Sequence, residues 1–489
     1  MKSRWIVVLL GMGLGLWGAL FEKWPISDAY ASGLNAPQVG NAFSSPVHSD
    51  AAAVFWNPAM LATLTEIQGM MGASLVYLHL GYTRDRRATY QHEDGFRIAE
   101  PLAQSDIDFS KSGLDSAVSV DGVLGTFGGF LALPIGDRVV LGGGVYVPYG
   151  AIVDFGNDAN GPQKWALQRA QILSVYVTPS AGFKITDWFR VGFGTSLVIG
   201  NLALSRINDL AGTDLIGDAL ADDPIGQPND FGTNAPPSVR ELDVLSRPVE
   251  ISNAWALGYS FNVGMAFRPT NWMDIGITYT HGTKMRFKGE FRLDMNHPFF
   301  TTDLVSQGLE YPPLVKGDAY VEFPFPTNVR FAVGLKPAEK WFLQLEADWF
   351  RYSEVKAFAV TLESKDLAQP ALGIAPIAKI DLRRDWQDTV QIEALVSHDL
   401  SEELTLGFKF GYHSPFSPDS TVDVSSPDGN RLIAGVMTRW DVDQNWSIVG
   451  QLDAQALLPR KVTASDHDLA NGKYNLFLLN AGGSVTYRF

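Results

Sequence analysis

The chain has 489 residues, of which 46% are hydrophobic and only 19% are charged, and this composition excludes an intrinsically disordered protein. The net charge of −15 is unfavourable for phosphate binding, so we expect no nucleic-acid partner. The absence of cysteine excludes a disulfide scaffold, a cysteine-ligated zinc site and a cysteine nucleophile.

The N-terminus has the features of a secretory signal peptide. Lys2 and Arg4 precede an apolar run from Ile6 to Phe21, and Ala29-Tyr30-Ala31 forms a cleavage site. We therefore predict that residues 1–31 are removed; a retained signal anchor is the alternative, but the run is shorter than the roughly 20 residues that span a bilayer. An exported chain without a membrane helix is either a soluble secreted β protein or an outer-membrane β-barrel.

From residue 67 onward, apolar and polar residues alternate in long segments. In Trp341 to Trp349, for example, apolar residues occupy every second position and Gln344, Glu346 and Asp348 lie between them. Successive side chains of a strand point to opposite faces, so each segment has one apolar and one polar face. We predict fourteen such strands: 67–82, 123–134, 138–153, 172–185, 189–206, 253–268, 273–293, 318–336, 341–362, 386–398, 403–418, 430–441, 446–463 and 475–489.

The connections favour a membrane barrel over a soluble sandwich. Short and long connections alternate, as they do in outer-membrane barrels. Trp188, Trp272, Trp341 and Trp446 each follow a short turn directly, which predicts an interfacial aromatic girdle. The chain ends in Phe489 on an amphipathic strand, a feature that resembles the signal read by the barrel-assembly machinery.

The predicted fold class is therefore all-β: residues 67–489 form a 14-stranded antiparallel transmembrane β-barrel. Such a barrel encloses a lumen wider than its own side chains fill. We expect residues 32–66 to plug it as an N-terminal hatch.

The segment before the first strand is where the sequence becomes specific. It contains Ser32-Gly33-Leu34, then Val39 to Ser44, and then Asp50 to Ala59, which includes Asn57-Pro58-Ala59. Together with later stretches it resembles the FadL family of outer-membrane long-chain fatty acid transporters, which includes the TodX-type aromatic hydrocarbon channels. The later stretches are Tyr146 to Gly150, Gly182 to Trp188, Thr280 to Lys284, Phe325-Pro326 with Gly334-Leu335, and Trp341 to Trp349.

The resemblance implies a passive channel in the bacterial outer membrane. Its ligand would be a long-chain fatty acid or another hydrophobic compound, and it would work as a monomer without a cofactor. Phe43 and Asn57-Pro58-Ala59 would belong to the hatch. The ligand would enter through a groove among the external loops, reach a pocket in the barrel and leave sideways through a gap in the wall.

The third strand contains the candidate lateral gate, Pro148, Tyr149 and Gly150. Proline cannot complete a β-ladder, and glycine permits a bulge. We interpret these residues as the place where the wall opens. The alternative is that the strand simply ends here, at the extracellular rim.

The seventh strand contains a ladder of cations, Lys284, Arg286 and Lys288. They have the parity of Thr278, so they should face the lumen if the strand has no bulge, where they could bind a carboxylate head group. Arg206, in the fifth strand, is a further candidate. The alternatives are structural pairing with acidic residues or contact with lipopolysaccharide phosphates near the rim, since lipopolysaccharide and outer-membrane lipid are expected partners.

Two external loops carry apolar residues, and exposed apolar patches mark binding sites. The predicted capture groove consists of Phe299, Phe300, Leu304 and Leu309. The alternative is that the loops cap one another in small cores of their own.

Two other functions remain open. A general polar porin would contain a folded-in extracellular loop rather than an N-terminal hatch. An outer-membrane hydrolase would need converging catalytic groups, whereas the side chains of Ser397, His398 and Asp399 alternate between the two faces of a strand. No spacing of histidine and carboxylate suggests a metal site, and we expect the protein not to be an enzyme.

Overall fold

The computed structural model describes residues 39–84, 87–91, 97–101, 117–156, 161–209, 246–303, 305, 308, 311–368, 370, 375–465 and 470–489. The predicted signal peptide, the first hatch residues 32–38, and the capture-groove residues Leu304 and Leu309 lie outside this range. No helix in the described part of the chain is long and apolar enough to cross a membrane.

Fourteen long antiparallel strands form the barrel, and each pairs with its neighbours along the chain. Their bounds are β1 (Gln68–Arg84), β2 (Ala117–Ile135), β3 (Val139–Asp154), β4 (Arg169–Lys184), β5 (Phe189–Asp209), β6 (Ser246–Thr270), β7 (Met273–Thr280 and Thr283–Asp294), β8 (Leu314–Phe325 and Asn328–Ala338), β9 (Trp341–Phe350 and Ala357–Glu363), β10 (Ile377–Arg383 and Thr389–Asp399), β11 (Leu404–His413), β12 (Arg431–Asp441), β13 (Trp446–Leu457 and Arg460–Val462) and β14 (Gly472–Arg488). β14 also pairs with β1 from Gln68↔Arg488 to Arg84↔Gly472, so the sheet closes. The predicted 14-stranded barrel is confirmed.

The remaining elements are short. Arg87–Gln91 and Arg97–Pro101 pair as a separate hairpin. The segment before β1 contains helix α1 (Ala53–Trp56) and a 3₁₀ helix (Pro58–Thr63). The described residues contain three further helical turns: Phe299–Asp303 and Lys365–Leu367 lie in loops, and Tyr352–Glu354 lies between the two parts of β9.

The predicted alternation of outward and inward side chains is confirmed in the half of the wall that contains the short turns. Leu345 and Leu452 are 50% and 47% exposed, whereas their neighbours Glu346 and Asp453 are buried. Apolar residues therefore face the lipid here and polar residues face the lumen.

The short turns lie at one rim, which we call periplasmic by the usual arrangement of outer-membrane barrels. Trp188, Trp272, Trp341 and Trp446 are each about half exposed directly after a short turn, as an aromatic girdle requires. Phe489 lies at the same rim, where its N–H donates to the carbonyl of Ile67 over 3.0 Å.

The predicted orientation of the cationic ladder is wrong. Lys284, Arg286 and Lys288 are exposed on the outer face of the barrel, and the residues between them, Met285 and Phe287, are completely buried.

The reason for this reversal is an interruption shared by two adjacent strands. β7 is broken at His281-Gly282 and β8 at Pro326-Thr327, and the two breaks lie side by side because Thr280 pairs with Asn328 and Thr283 with Phe325. Pro326 has no N–H to give to the ladder. Beyond the breaks, side chains of opposite parity point inward.

The interior has two chemically different sides. The residues 39–67, called the N-terminal segment below, pack with inward side chains of β2 to β9 in one large apolar cluster. The inner face of β9 to β14 is richer in buried polar side chains, which include Gln344, Glu346, Asp348, Asp453 and Asn480, although Phe43 packs there against a small apolar cluster.

Candidate functional site

The N-terminal segment is attached to the inner wall by polar side chains. Asn57 Nδ2 donates to the carbonyl of Met265 in the wall (3.0 Å). Within the segment, Asn57 Nδ2 also donates to the carbonyl of Pro46 (2.8 Å) and Oδ1 accepts from the N–H of Ala59 (3.1 Å). From the wall, Asn262 Nδ2 donates to the carbonyl of Val54 over 2.9 Å. These bonds satisfy backbone groups that would otherwise be buried without partners.

Glycines of the wall allow the N-terminal segment to approach closely. A Cβ at Gly182 would lie 2.6 Å from the carbonyl oxygen of Pro58, and one at Gly142 would lie 2.7 Å from a methyl of Val54. Real Cβ atoms do not come so close, so any larger residue would displace the segment. Phe43, which belongs to the same segment, is buried against the opposite side of the barrel wall.

A buried polar cluster organises the first turn of the N-terminal segment. Asp50 accepts from Asn41 Nδ2 (2.9 Å) and Ser44 Oγ (2.7 Å), and His48 Nε2 lies 3.7 Å from the same carboxylate. Burial lowers the pKa of His48, against the opposing effect of Asp50. The fold of this turn therefore favours the neutral imidazole.

Arg330 links the wall to helix α1. Its guanidinium carbon lies 4.4 Å from the ring centroid of Phe55 and 4.9 Å from that of Trp56, while Nε lies 3.3 Å from Asp348 Oδ2. The indole N–H of Trp56 donates to the carbonyl of Val39 over 2.7 Å. Trp56, which packs on Arg330, therefore holds Val39 at the start of the described segment.

The third strand, β3, is irregular between Tyr146 and Tyr149. Pairing between β2 and β3 ends at Gly128↔Tyr146. On the other edge the register with β4 shifts between Tyr146 and Tyr149, with one extra residue on β3. The four consecutive residues 146–149, including Pro148, are all buried, whereas a regular strand alternates. The strand therefore bends inward here, and the extracellular part of β2 loses its partner on that side.

A cleft occupies this break. It is narrow and is bounded by β1, β2, β3 and the first described residues of the N-terminal segment. The lining residues are Val39, Gly40, Gly72, Ala73, Ser74, Thr126, Phe127, Gly128, Tyr146 and Val147.

A row of aromatic rings leads from the upper lumen to the cleft. Phe325 stacks on Tyr149 at 5.0 Å, Tyr149 lies 6.1 Å from Tyr176, and Tyr176 stacks on Tyr146 at 5.9 Å. Phe55 then meets Tyr146 edge-on at 5.2 Å. We call these five residues the aromatic row; its member Tyr146 also lines the cleft.

The other residues singled out in the sequence lie elsewhere. Arg206 is half-buried and donates to Asn208 Oδ1 over 3.3 Å. Phe300 is buried against Tyr311 of the same loop, with ring centroids 6.4 Å apart, and belongs to the large apolar cluster. Phe299 belongs to the same helical turn, but its side chain lies outside the described part of the structure.

Sequence reasoning missed Tyr176 and Arg330, and it gave Tyr146 no role of its own. Tyr146 stands in the motif that marked the third strand, so its inward position could have been expected. Arg330 has the parity of Asn328 and faces inward by simple alternation, but its contact with Phe55 depends on where the N-terminal segment lies. No local signal indicates that contact.

A closed barrel with a segment folded inside it, a break in its wall and an aromatic row leading to that break is a membrane channel. The chain belongs to the outer membrane protein transport family OMPP1/FadL/TodX, whose family model matches residues 27–468. The predicted family and the predicted location in the bacterial outer membrane are thereby confirmed.

Solved structures share this fold at low sequence identity. A FadL homologue of Pseudomonas aeruginosa is 18% identical with a TM-score of 0.71, and the match covers 94% of this chain and 100% of the other. The toluene transporter TbuX of Ralstonia pickettii is 16% identical with a TM-score of 0.60, covering 92% and 96%. The toluene transporter TodX of P. putida is 15% identical with a TM-score of 0.60, covering 91% and 96%. No curated protein matches the sequence significantly.

Proposed function

We propose that this outer-membrane protein admits hydrophobic compounds through the cleft beside β3, so that they pass sideways into the membrane. The observation that carries the proposal is the double position of Tyr146. This residue belongs to the aromatic row inside the barrel and also lines the break in the wall.

The energetics favour such a route over an exit into the periplasm. Each Å² of apolar surface kept from water contributes about 25 cal/mol, so a hydrophobic ligand gains by moving from an apolar lumen directly into lipid. The bulge at Val147 and Pro148 already lacks ladder bonds. Opening the wall at this point therefore disrupts less of the sheet than opening it elsewhere. In this proposal Pro148, Tyr149 and Gly150 form the lateral gate.

Residues 32–66 act in this proposal as the hatch. Val39 and Gly40 lie at the cleft, and the carbonyl of Val39 is held by Trp56. A ligand that displaces Tyr146 would also disturb Phe55, which packs against it, and Trp56 beside it. Release of Val39 would then widen the cleft.

The ligand proposed here is a neutral hydrocarbon rather than a fatty acid. The hydroxyl of Tyr146 lies 2.9 Å from Thr178 Oγ1, and that of Tyr149 accepts from Asn328 Nδ2 over 3.3 Å, so both already have partners. Arg330, the cation beside the aromatic row, is paired with Asp348. The cationic ladder that was predicted to bind a carboxylate faces outward. Two of the similar structures are described as toluene transporters, which supports this choice.

A reversible cross-link tests the lateral route, because the chain has no cysteine of its own. The double variant Thr126→Cys with Val147→Cys places a thiol on each side of the cleft. Oxidation should stop uptake of toluene by cells, and a reductant should restore it. The control pair Gly129→Cys with Val145→Cys joins residues that are already paired, and should leave uptake unchanged. Normal uptake with the cleft cross-linked would refute the lateral route.

Two further measurements separate the ligand classes. Purified protein should bind an alkylbenzene more tightly than the matching benzoate, since the aromatic row offers no unpaired cation in the described structure. Tighter binding of the carboxylate would refute the hydrocarbon proposal. Liposomes containing the protein should not swell in sugar solution; swelling would favour the porin alternative.

A further inference from the structure

A cationic surface lies on the outer face of the barrel, outside the channel. Lys284, Arg286 and Lys288 project from the extracellular half of β7, and Tyr320 projects beside them from β8. We propose that this surface binds the phosphate groups of lipopolysaccharide, with Arg286 as the central ligand and the two lysines beside it. This proposal does not depend on what the channel transports.

The height of these residues on the wall is the first argument. Lys288 pairs with Trp255 of β6, and Thr283, next to Lys284, donates its hydroxyl to the carbonyl of Tyr259. Trp255 and Tyr259 are 51% and 75% exposed, and towards the periplasmic side the outward residues of β6 are apolar: Phe261, Val263 and Met265. Tryptophan and tyrosine mark the edge of the hydrocarbon layer. The cations therefore lie where acyl chains end and head-group phosphates begin.

The side of the membrane is the second argument. The cations lie on the side of the long connections, opposite the rim of short turns, and this side of an outer-membrane barrel faces the cell exterior. The lipid of that leaflet is lipopolysaccharide, which carries phosphates at the junction of its acyl chains and sugars. In a chain with a net charge of −15, Glu322 and Asp318 offset the charges of Lys284 and Lys288, so Arg286 provides the main local attraction for such groups.

The partners of the cations are the third argument. Lys284 Nζ pairs with Glu322 and Lys288 Nζ lies 3.5 Å from Asp318, but these side chains are exposed and such pairs contribute little stability. Arg286 has no carboxylate within ion-pair distance in the described structure. Its guanidinium instead lies over the ring of Tyr320, 4.7 Å from the centroid. A stacked guanidinium keeps its N–H groups available, and they match a phosphate in a bidentate manner.

Binding of purified lipid A to the full-length protein in detergent tests the proposal. The probes are bisphosphorylated lipid A, the same lipid after phosphatase treatment, and phosphatidylglycerol. Wild-type protein should bind the bisphosphorylated form at least tenfold more tightly than either of the other two. Arg286→Gln should weaken that binding about tenfold, the effect of losing hydrogen bonds to a charged group.

The matched control is Lys336→Gln, an exposed cation on β8 at the periplasmic rim, which should leave binding unchanged. Heat-modifiability on gels reports whether each variant is folded. If Arg286→Gln fails to fold, Tyr320→Leu removes the platform under the guanidinium and should weaken binding several-fold. Equal affinity for the phosphorylated and dephosphorylated lipid, or equal loss in Arg286→Gln and Lys336→Gln, would overturn the proposal. Phosphatidylglycerol binding as tightly as lipid A would overturn the assignment to lipopolysaccharide.

Discussion

Asn57→Ala should loosen the N-terminal segment without unfolding the barrel. The side chain makes three hydrogen bonds, to the carbonyls of Pro46 and Met265 and from the N–H of Ala59. Only the bond to Met265 joins the segment to the wall, so at about 1 kcal/mol for a bond the substitution weakens the seating by about 1 kcal/mol. Since 1.4 kcal/mol corresponds to a factor of ten, the displaced population should rise about fivefold.

A single cysteine can report this population, because no other thiol is present. Val54→Cys is close in volume to the original residue and is completely buried between the segment and the wall. Its rate of reaction with a small water-soluble maleimide should follow the displaced fraction. Asn57→Ala should raise that rate about fivefold.

Thr278→Val is a matched variant for the same experiment. It removes one bond between the wall and the segment, from Thr278 Oγ1 to the carbonyl of Trp56 (2.7 Å), and should also raise the rate about fivefold. A rate in Asn57→Ala within threefold of the reporter protein alone would mean that Asn57 does not hold the segment. Loss of heat-modifiable barrel in Asn57→Ala would show that the segment is required for folding instead.

Three further predictions concern the wall, the end of the chain and pH. Leu452→Arg should lower the free energy of unfolding in urea by roughly 2–4 kcal/mol, because Leu452 faces lipid near the middle of its strand. Leu404→Arg, beside a periplasmic turn, should lower it by about 0–1 kcal/mol. Equal losses would mean that the depths of these two residues in the membrane are wrongly assigned. Deletion of Phe489 should lower the amount of folded barrel in the outer membrane, since it removes the terminal aromatic residue that resembles the assembly signal, together with the last bond of the seam, to Ile67. An undiminished yield would contradict this role. Burial lowers the pKa of His48, so the displaced segment binds a proton on this imidazole more readily than the seated one. The segment should therefore be held most strongly above about pH 6.5, and its seating should weaken as the pH falls below that value. The maleimide rate should rise accordingly at low pH, and His48→Gln should abolish this pH dependence.

The strand count and the facing of the lower wall were predictable from the sequence. Alternation in Trp341 to Trp349 correctly places Leu345 against lipid and Glu346 in the lumen, because the period of two is a local property of extended chain. Pro148 likewise indicates a broken ladder wherever it stands in a strand, because the missing N–H belongs to the residue itself.

Only the tertiary structure decided the orientation of the cationic ladder. Lys284 would face the lumen if β7 were regular, but the break at His281-Gly282 lies beside Pro326 of the neighbouring strand and reverses the parity beyond it. Whether an interruption skips an odd or an even position depends on the register with the next strand. A single sequence does not contain that register.

The tertiary structure also decided which distant residues meet inside the barrel. Tyr146, Tyr176 and Phe325 come from three separate strands, and Phe55 comes from the segment folded between them. Arg330 reaches Phe55 only because barrel closure places β8 opposite helix α1. Residue types and spacing along the chain specify each strand, whereas the contacts that define the channel arise from closure, where residues far apart in sequence share one confined interior.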